Sequence, residues 1–304
     1  MARNLKKYSD IKGGMDRGSR DHKSKLADKD GEIMKVASKK VIATHPSNTI
    51  KNAASLMRDN DVRRLPVLDA GTARLEGLAT AVDVLDFMGG GEKYNIIEKD
   101  YGGNFLSAIN TPISKIMRES QYLDRRSSVE EVVDIMVDKK TSCIPVVEDD
   151  EDLSVIALVT ERDVLPMAGE FGVPVSEVMN SKPITASEGM MLSDVSKVMV
   201  RNQVRRLPVI KEGSLAGVVT VFDVLGYLER GEYKGVDAEE NLSTRVEEIM
   251  ASEVLALRPE EDLGEAVKLI GTSGYGGFPV AEDGSLKGII TITDILRWVY
   301  REKG

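Results

Sequence analysis

The hexapeptide Val62-Arg63-Arg64-Leu65-Pro66-Val67 returns letter for letter as Val204-Arg205-Arg206-Leu207-Pro208-Val209. Its closing half recurs twice more in altered form, as Ile144-Pro145-Val146-Val147 and Phe278-Pro279-Val280-Ala281. Sixteen residues before each proline an apolar series opens at i, i+3, i+4, i+7. The four series are Ile50, Ala53, Ala54, Met57; Val129, Val132, Val133, Met136; Leu192, Val195, Ser196, Met199; and Leu263, Ala266, Val267, Ile270. That spacing places each set on one face of a short amphipathic helix. An offset kept in four copies is an internal repeat, and it settles the architecture before any single residue is weighed.

Forward of each proline the pattern changes to strand. The proline opens a short β-type run, where its missing N–H stays out of the ladder. Turn residues follow, plainest at Lys211-Glu212-Gly213-Ser214 and Glu282-Asp283-Gly284-Ser285, then a second apolar strand ending at Thr80, Thr160, Thr220 or Thr291. The proline-to-threonine spacing of 14, 15, 12 and 12 residues puts the length change in the hairpin loop. Three residues past each threonine stands Asp83, Asp163, Asp223 or Asp294, each followed by two aliphatics that open another helix. An Ile-Met or Val-Met pair announces every unit: Ile33-Met34, Ile116-Met117, Val178-Met179, Ile249-Met250.

The fold class is therefore α+β, with four tandem strand-helix-strand-strand-helix units. A unit of roughly 55 residues buries too little surface to stand alone, so the units are expected to stack in pairs. The boundaries read as a basic N-terminal arm at 1–32, units at 33–88, 113–167, 175–228 and 246–302, and linkers at 89–112 and 229–245. Gly89-Gly90-Gly91 and Gly102-Gly103 mark the first linker as a loop-rich insertion.

Composition narrows the function. Of 304 residues, 41% are hydrophobic and 30% charged, which suits a globular chain with a real core. There is no apolar run of transmembrane length and no apolar signal region after Met1, so a cytoplasmic, membrane-free protein is expected. Cys143, His22 and His45 are too few for an internal disulfide or a Cys/His metal centre. Residues 1–40 hold 12 Lys and Arg against 6 Asp and Glu, which leaves −15 of the net −9 on the remainder. Such an acidic body repels nucleic acid and anionic membranes, and Tyr8 is the only aromatic in the basic head, so nucleic acid is disfavoured. An anionic ligand would have to be held by a few placed arginines.

Two motifs carry candidate chemistry. Gly-x-x-Thr-x-x-Asp recurs as Gly77/Thr80/Asp83, Gly217/Thr220/Asp223 and Gly288/Thr291/Asp294, with Ala157 replacing glycine before Thr160 and Asp163. The threonine and aspartate suit a helix cap. A short carboxylate there also suits a ribose diol, the hydroxyl and free N–H groups suit phosphate, and a glycine lets a flat ring approach. Both readings stand. The second motif is the arginine pair, found in units 1 and 3; units 2 and 4 have Thr141-Ser142-Cys143 and Tyr275-Gly276-Gly277 instead. Arginine's planar fork matches phosphate, and strand alternation sends at most one of each pair directly into a given cleft.

With these motifs in one register, all four units resemble cystathionine-β-synthase (CBS) domains. The four-unit plan is also similar to that of the gamma subunit of AMP-activated protein kinase. The resemblance implies paired modules in a flat disc, with clefts that bind AMP, ADP, ATP or S-adenosylmethionine. It implies ribose-holding roles for Asp83 and Asp223, ribose or phosphate contact for Thr80 and Thr220, and phosphate contact for Arg63, Arg64, Arg205 and Arg206. Arg162 would reach across the pair into the first site, and Thr44 and Thr185 would line the adenosine wall. Thr160, Asp163, Thr291 and Asp294 belong to units without the arginine pair, whose clefts are expected to be empty or to take a less charged ligand. Two good sites result, one per module. No catalytic set emerges: Cys143 has no histidine in its repeat, and no glycine-rich phosphate loop is present. The expected function is ligand-dependent regulation read by a protein partner or by a second copy of the chain. A regulator responding to S-adenosylmethionine and a ligand-independent scaffold are the alternatives.

Overall fold

A computed structural model describes residues 31–139, 141–230 and 235–302. All but the last two residues of the basic arm expected at 1–32 lie outside them. Unit 1 holds α1 (Ile33–Val36), α2 (Ile50–Asp59), β1 (Arg64–Leu68), β2 (Leu75–Thr80) and α3 (Ala81–Leu85). The first linker, expected to be mostly loop, contains α4 (Asn95–Tyr101) and α5 (Phe105–Ala108). Its Gly102 ends α4 in the left-handed conformation that glycine adopts freely. Unit 2 has β3 (Leu123–Asp124), α6 (Val129–Asp138), β4 (Cys143–Val147) and β5 (Val155–Thr160). Unit 3 has β6 (Ala186–Ser187), α7 (Leu192–Asn202), β7 (Arg206–Lys211), β8 (Ser214–Thr220) and α8 (Val221–Arg230). After α9 (Ala238–Leu242), unit 4 follows with α10 (Leu263–Ser273), β9 (Gly277–Glu282), β10 (Ser285–Thr291) and α11 (Ile292–Arg297). Among the described residues no helix is long and apolar enough to cross a membrane.

Each apolar series is the buried face of its helix: all four members are buried in α2, α6, α7 and α10. The following strands form an antiparallel hairpin in every unit. The strand that opens the unit is short. It is a two-residue parallel partner in units 2 and 3, and a single bridge, Thr44 with Val67 and Leu257 with Val280, in units 1 and 4. The proline sits inside the strand rather than at its start. Pro66 accepts from the Thr44 amide at 2.9 Å, and Leu68 donates to Thr44 at 2.9 Å. The ring nitrogen of Pro66 therefore faces the side of that first strand, ahead of the point where pairing begins, so no ladder donor is lost. Unit 2 also departs at its end. Residues 161–164 make a turn closed by Asp163 N–H to the Thr160 carbonyl at 2.9 Å, and Pro166 stops any helix that the two aliphatics would have opened.

Pairing is achieved by exchange. The segment leading into unit 2 bonds to unit 1, where Arg118 and Leu78 trade backbone bonds of 2.9 and 3.0 Å; the segment leading into unit 1 bonds to unit 2 through Ser38 and Leu158 at 2.8 and 2.9 Å. Units 3 and 4 repeat the exchange through Asn180 with Ile289 and Ala251 with Val218. This explains the motif glycines. A Cβ on Gly77 would lie 2.8 Å from the Arg118 carbonyl, one on Gly217 2.8 Å from Met250 Sδ, and one on Gly288 2.6 Å from Met179 Sδ. The methionines that announce units 2, 3 and 4 pack where the sequence suggested a flat ring. In unit 2 the register that pairs Ser38 with Leu158 puts Ala37 in the methionine's place, which leaves room for Ala157.

The cores run the other way. One joins units 1 and 3, with Ile50, Met57, Val84 and Leu85 in the same cluster as Leu192, Met199, Val224 and Leu225. The other joins units 2 and 4 through residues such as Val132, Ile144, Ile270 and Ile295. The linkers meet as well, with Phe105 N–H to the Val236 carbonyl at 2.7 Å. Exchanged edges bind each unit to one neighbour and a shared core binds it to another, which gives small units the buried area they lack alone.

Candidate functional site

After each hairpin the threonine and aspartate of the motif close on one another in all four copies. The aspartate Oδ2 accepts the threonine amide and hydroxyl at 2.9 and 2.6 Å for Asp83, 2.9 and 2.7 Å for Asp163, 2.6 and 2.7 Å for Asp223, and 2.9 and 2.6 Å for Asp294. The capping reading thus holds for the helices of units 1, 3 and 4, with aspartate in the place that glutamate usually takes, while in unit 2 the same bonds close a turn that no helix follows. Burial pushes the Asp294 carboxyl up, against the pull of Thr291 and Arg297.

Beyond the cap the four carboxylates differ. Asp83 is fully buried and receives Arg118 Nε at 2.9 Å and Nη2, together with the Lys93 ammonium. With Thr80 it meets five donor atoms, and a carboxylate offers only about four lone-pair directions. Lys93 comes from the first linker and also donates to the Ile116 carbonyl at 2.7 Å. The ribose-holding carboxylate expected in unit 1 is therefore engaged by the chain's own cations.

Arg63 and Arg64 instead open onto unit 2. A cavity of 280 Å³ is lined by Arg63 and Arg64 of unit 1, Ser142, Cys143, Thr160, Glu161, Arg162 and Asp163 of unit 2, Arg205 of unit 3 and Ile292 of unit 4. Lys40 and Asp61 complete its charged lining. It thus combines the arginine pair of one unit with the Thr-x-x-Asp of its neighbour, the very unit whose cleft was expected to be empty or to take a less charged ligand. Thr80, Asp83, Thr220, Asp223, Thr291 and Asp294 do not line it. Thr44 is buried beneath Asn48, whose amide donates to it at 3.0 Å, and Thr185 is exposed; neither forms part of the cavity wall.

The contrast between odd and even units now has a steric reason. Small residues in units 2 and 4 receive the arginine pair of unit 3. Arg205 donates to the Ser142 hydroxyl at 2.5 Å, and Arg206 donates to the Gly277 carbonyl. A Cβ on Gly276 or Gly277 would come within 3.0 Å of the Arg206 guanidinium, so the Tyr275-Gly276-Gly277 run makes room for a side chain from the neighbouring unit. Arg162 donates to the Gly274 carbonyl of unit 4, so it reaches the other module as well as the cavity wall, and its expected crossing into the Asp83 cleft is not seen. Arg63 stacks its guanidinium 4.8 Å from the ring centre of Phe222 in unit 3.

Five arginines from units 1, 2 and 3 therefore converge. Burial pulls Arg63 and Arg64 down to about 10 and Arg206 to about 9, with repulsion from neighbouring arginines adding to each. All remain cations at neutral pH, but their charge is held at a cost. The cavity lining carries five cationic and three acidic side chains, a formal balance of +2. Burial pushes the Cys143 thiol up to about 11, which makes it an unreactive wall of the cavity. Glu161, which the sequence reading passed over, is 8% exposed and sits among the arginines; its only signal was an acid where the other units have Ala81, Val221 and Ile292. Among the described residues no group of three His, Cys, Asp or Glu is placed to hold a metal ion.

The CBS domain model matches residues 31–90, 113–167, 175–230 and 246–301, and the chain belongs to that family. Protein MJ1225 of Methanocaldococcus jannaschii is 36% identical over 277 residues, covering 88% of this chain and 98% of that one. Its crystal structure, described as that of a candidate archaeal homologue of g-AMPK, matches with a TM-score of 0.79 at 34% identity over 88% and 99% of the two chains. A 33.4 kDa protein of the ribosomal RNA operon of Thermofilum pendens is 32% identical over 271 residues, 86% of this chain and 89% of that one. A protein from Pyrococcus horikoshii shares the fold at 16% identity, with a TM-score of 0.54 over 87% and 97% of the chains.

Proposed function

We propose that this CBS protein is a non-enzymatic, cytoplasmic regulator that binds an adenosine nucleotide in the cavity between units 1 and 2. The observation that carries the reading is the uncompensated positive charge of that cavity: five cations and three acids around a space at the small end of ligand pockets. In this reading Arg63, Arg64, Arg162 and Arg205 hold phosphate, Asp163 takes the ribose diol, and Thr160 orients it. The adenosine part of the proposal comes from family resemblance, and the candidate homology of MJ1225 to g-AMPK supports it. The charge argues for AMP, ADP or ATP over S-adenosylmethionine, whose sulfonium would add a cation to a cationic wall. Because the wall is drawn from all four units, a bound phosphate would favour one arrangement of the modules over another, which is what regulation requires. A protein partner or a second copy of the chain would read that arrangement.

Thermal and chemical denaturation of the full chain with each of the four ligands tests this. A true ligand at a hundred times its dissociation constant adds ~2.7 kcal/mol. Arg64→Ala is expected to abolish that gain while leaving the ligand-free protein as stable or more so, since it removes a buried charge among like charges. A transition unmoved by every ligand would favour the ligand-independent scaffold.

A further inference from the structure

The turn that follows β5 reads Thr160-Glu161-Arg162-Asp163, and Glu161 stands where the other three units bury Ala81, Val221 and Ile292. A carboxylate at a buried, otherwise aliphatic position needs a reason. Its Oε2 accepts from Arg205 of unit 3 at 3.3 Å, and its Oε1 accepts the Thr293 hydroxyl of unit 4 at 3.1 Å. It also lines the cavity beside Arg63 and Arg64. Counter-charge alone does not account for it, because the lining still stands at +2 with Glu161 counted. A phosphate monoester, carrying about −1.5 to −2 near neutral pH, closes that balance. Each further phosphoryl group would bring surplus negative charge into a space that already holds a buried, tethered carboxylate, and like charges at close range are strongly disfavoured.

We propose that Glu161 is a specificity-determining residue that makes the cavity select a nucleoside monophosphate over the corresponding di- and triphosphate. The proposal rests on the reading of this cavity as the nucleotide site. Glu161 sets the charge of the wall at which a phosphate chain would extend, and it holds Arg205 turned towards unit 2. Neither contact is available to the aliphatic residues at the equivalent positions.

The test is calorimetric titration of the full chain, wild type and Glu161→Gln, with adenosine, AMP and ATP in the presence of EDTA. Glutamine keeps the shape, its carbonyl oxygen can accept from Arg205 and its amide N–H can donate to the Thr293 hydroxyl, while the charge is removed. Wild-type protein is expected to bind AMP at least about tenfold more tightly than ATP, with adenosine weaker than AMP, and Glu161→Gln to narrow the AMP-to-ATP ratio by about tenfold, chiefly by tightening ATP. An unchanged ratio in the variant overturns the proposal while leaving the site intact. Should the variant not fold, the wild-type ratio decides: a tenfold AMP preference supports the proposal, and equal or tighter ATP binding overturns it. Binding of none of the three compounds overturns the site reading itself, a distinct outcome.

Discussion

Asp83 and Asp163 occupy the same position in two copies of one motif, yet the chain uses them differently. Both cap their turns. Asp83 is in addition the buried counter-ion of Arg118 and Lys93, side chains that are 52% and 23% exposed. Replacing it by alanine removes the cap and leaves Arg118 and Lys93 without their shared counter-ion, so Asp83→Ala is expected to cost about 2–3 kcal/mol in chemical denaturation. Asp163→Ala, in a half-buried turn, is expected to cost less than Asp83→Ala and to abolish nucleotide binding. The reverse pattern, with binding lost on changing Asp83 and kept on changing Asp163, would return the site to unit 1. The arginine pair stood out as a candidate because units 2 and 4 lack it. Which aspartate it faces was not legible: that depends on how units pair, and a repeat read along the chain invites the assumption that each unit completes its own cleft. Glu161 escaped for a related reason, since an acid next to an arginine looks solvated until burial is known.

Among the elements, hairpins, amphipathic helices and caps followed directly from periodicity and spacing. The leading segments did not, because their role is to cross into the neighbouring unit. The announcing methionines and the motif glycines are two halves of one contact, separated by tens of residues. Gly217 has the Ala251 carbonyl and Met250 Sδ each 2.8 Å from the place a Cβ would take. Gly217→Ala is therefore expected to destabilise by about 1–3 kcal/mol, with Met250→Ala in the same chain recovering only part, because the carbonyl belongs to the backbone and cannot withdraw as a side chain can. A neutral Gly217→Ala would show that the exchanged edge is loose enough to admit a methyl group. Unit 2 carries the complementary solution, Ala157 opposite a leading segment without methionine at that register. Its missing last helix was readable in principle from Pro166, but the four-fold pattern argued louder than one proline.

Across the whole molecule, two kinds of contact divide the work. Exchanged strands bind unit 1 to unit 2 and unit 3 to unit 4, while the cores bind unit 1 to unit 3 and unit 2 to unit 4. At the crossing of the two patterns lie the arginines, with Arg63 against Phe222, Arg205 on Ser142 and Glu161, Arg162 on Gly274 and Arg206 on Gly277. Like charges gathered where modules meet oppose close packing, so an anion seated among them would tighten the junction as a whole. On the proposed function, sensing and response would lie in the same side chains, and no separate relay would be required. The most direct measurement is a crystal structure of the full chain with AMP. The phosphate is expected within hydrogen-bonding distance of guanidinium groups from both modules, Arg64 and Arg205 among them, with the ribose at Asp163. A nucleotide seated instead against Asp83 or Asp223, with those arginines uninvolved, would contradict that expectation.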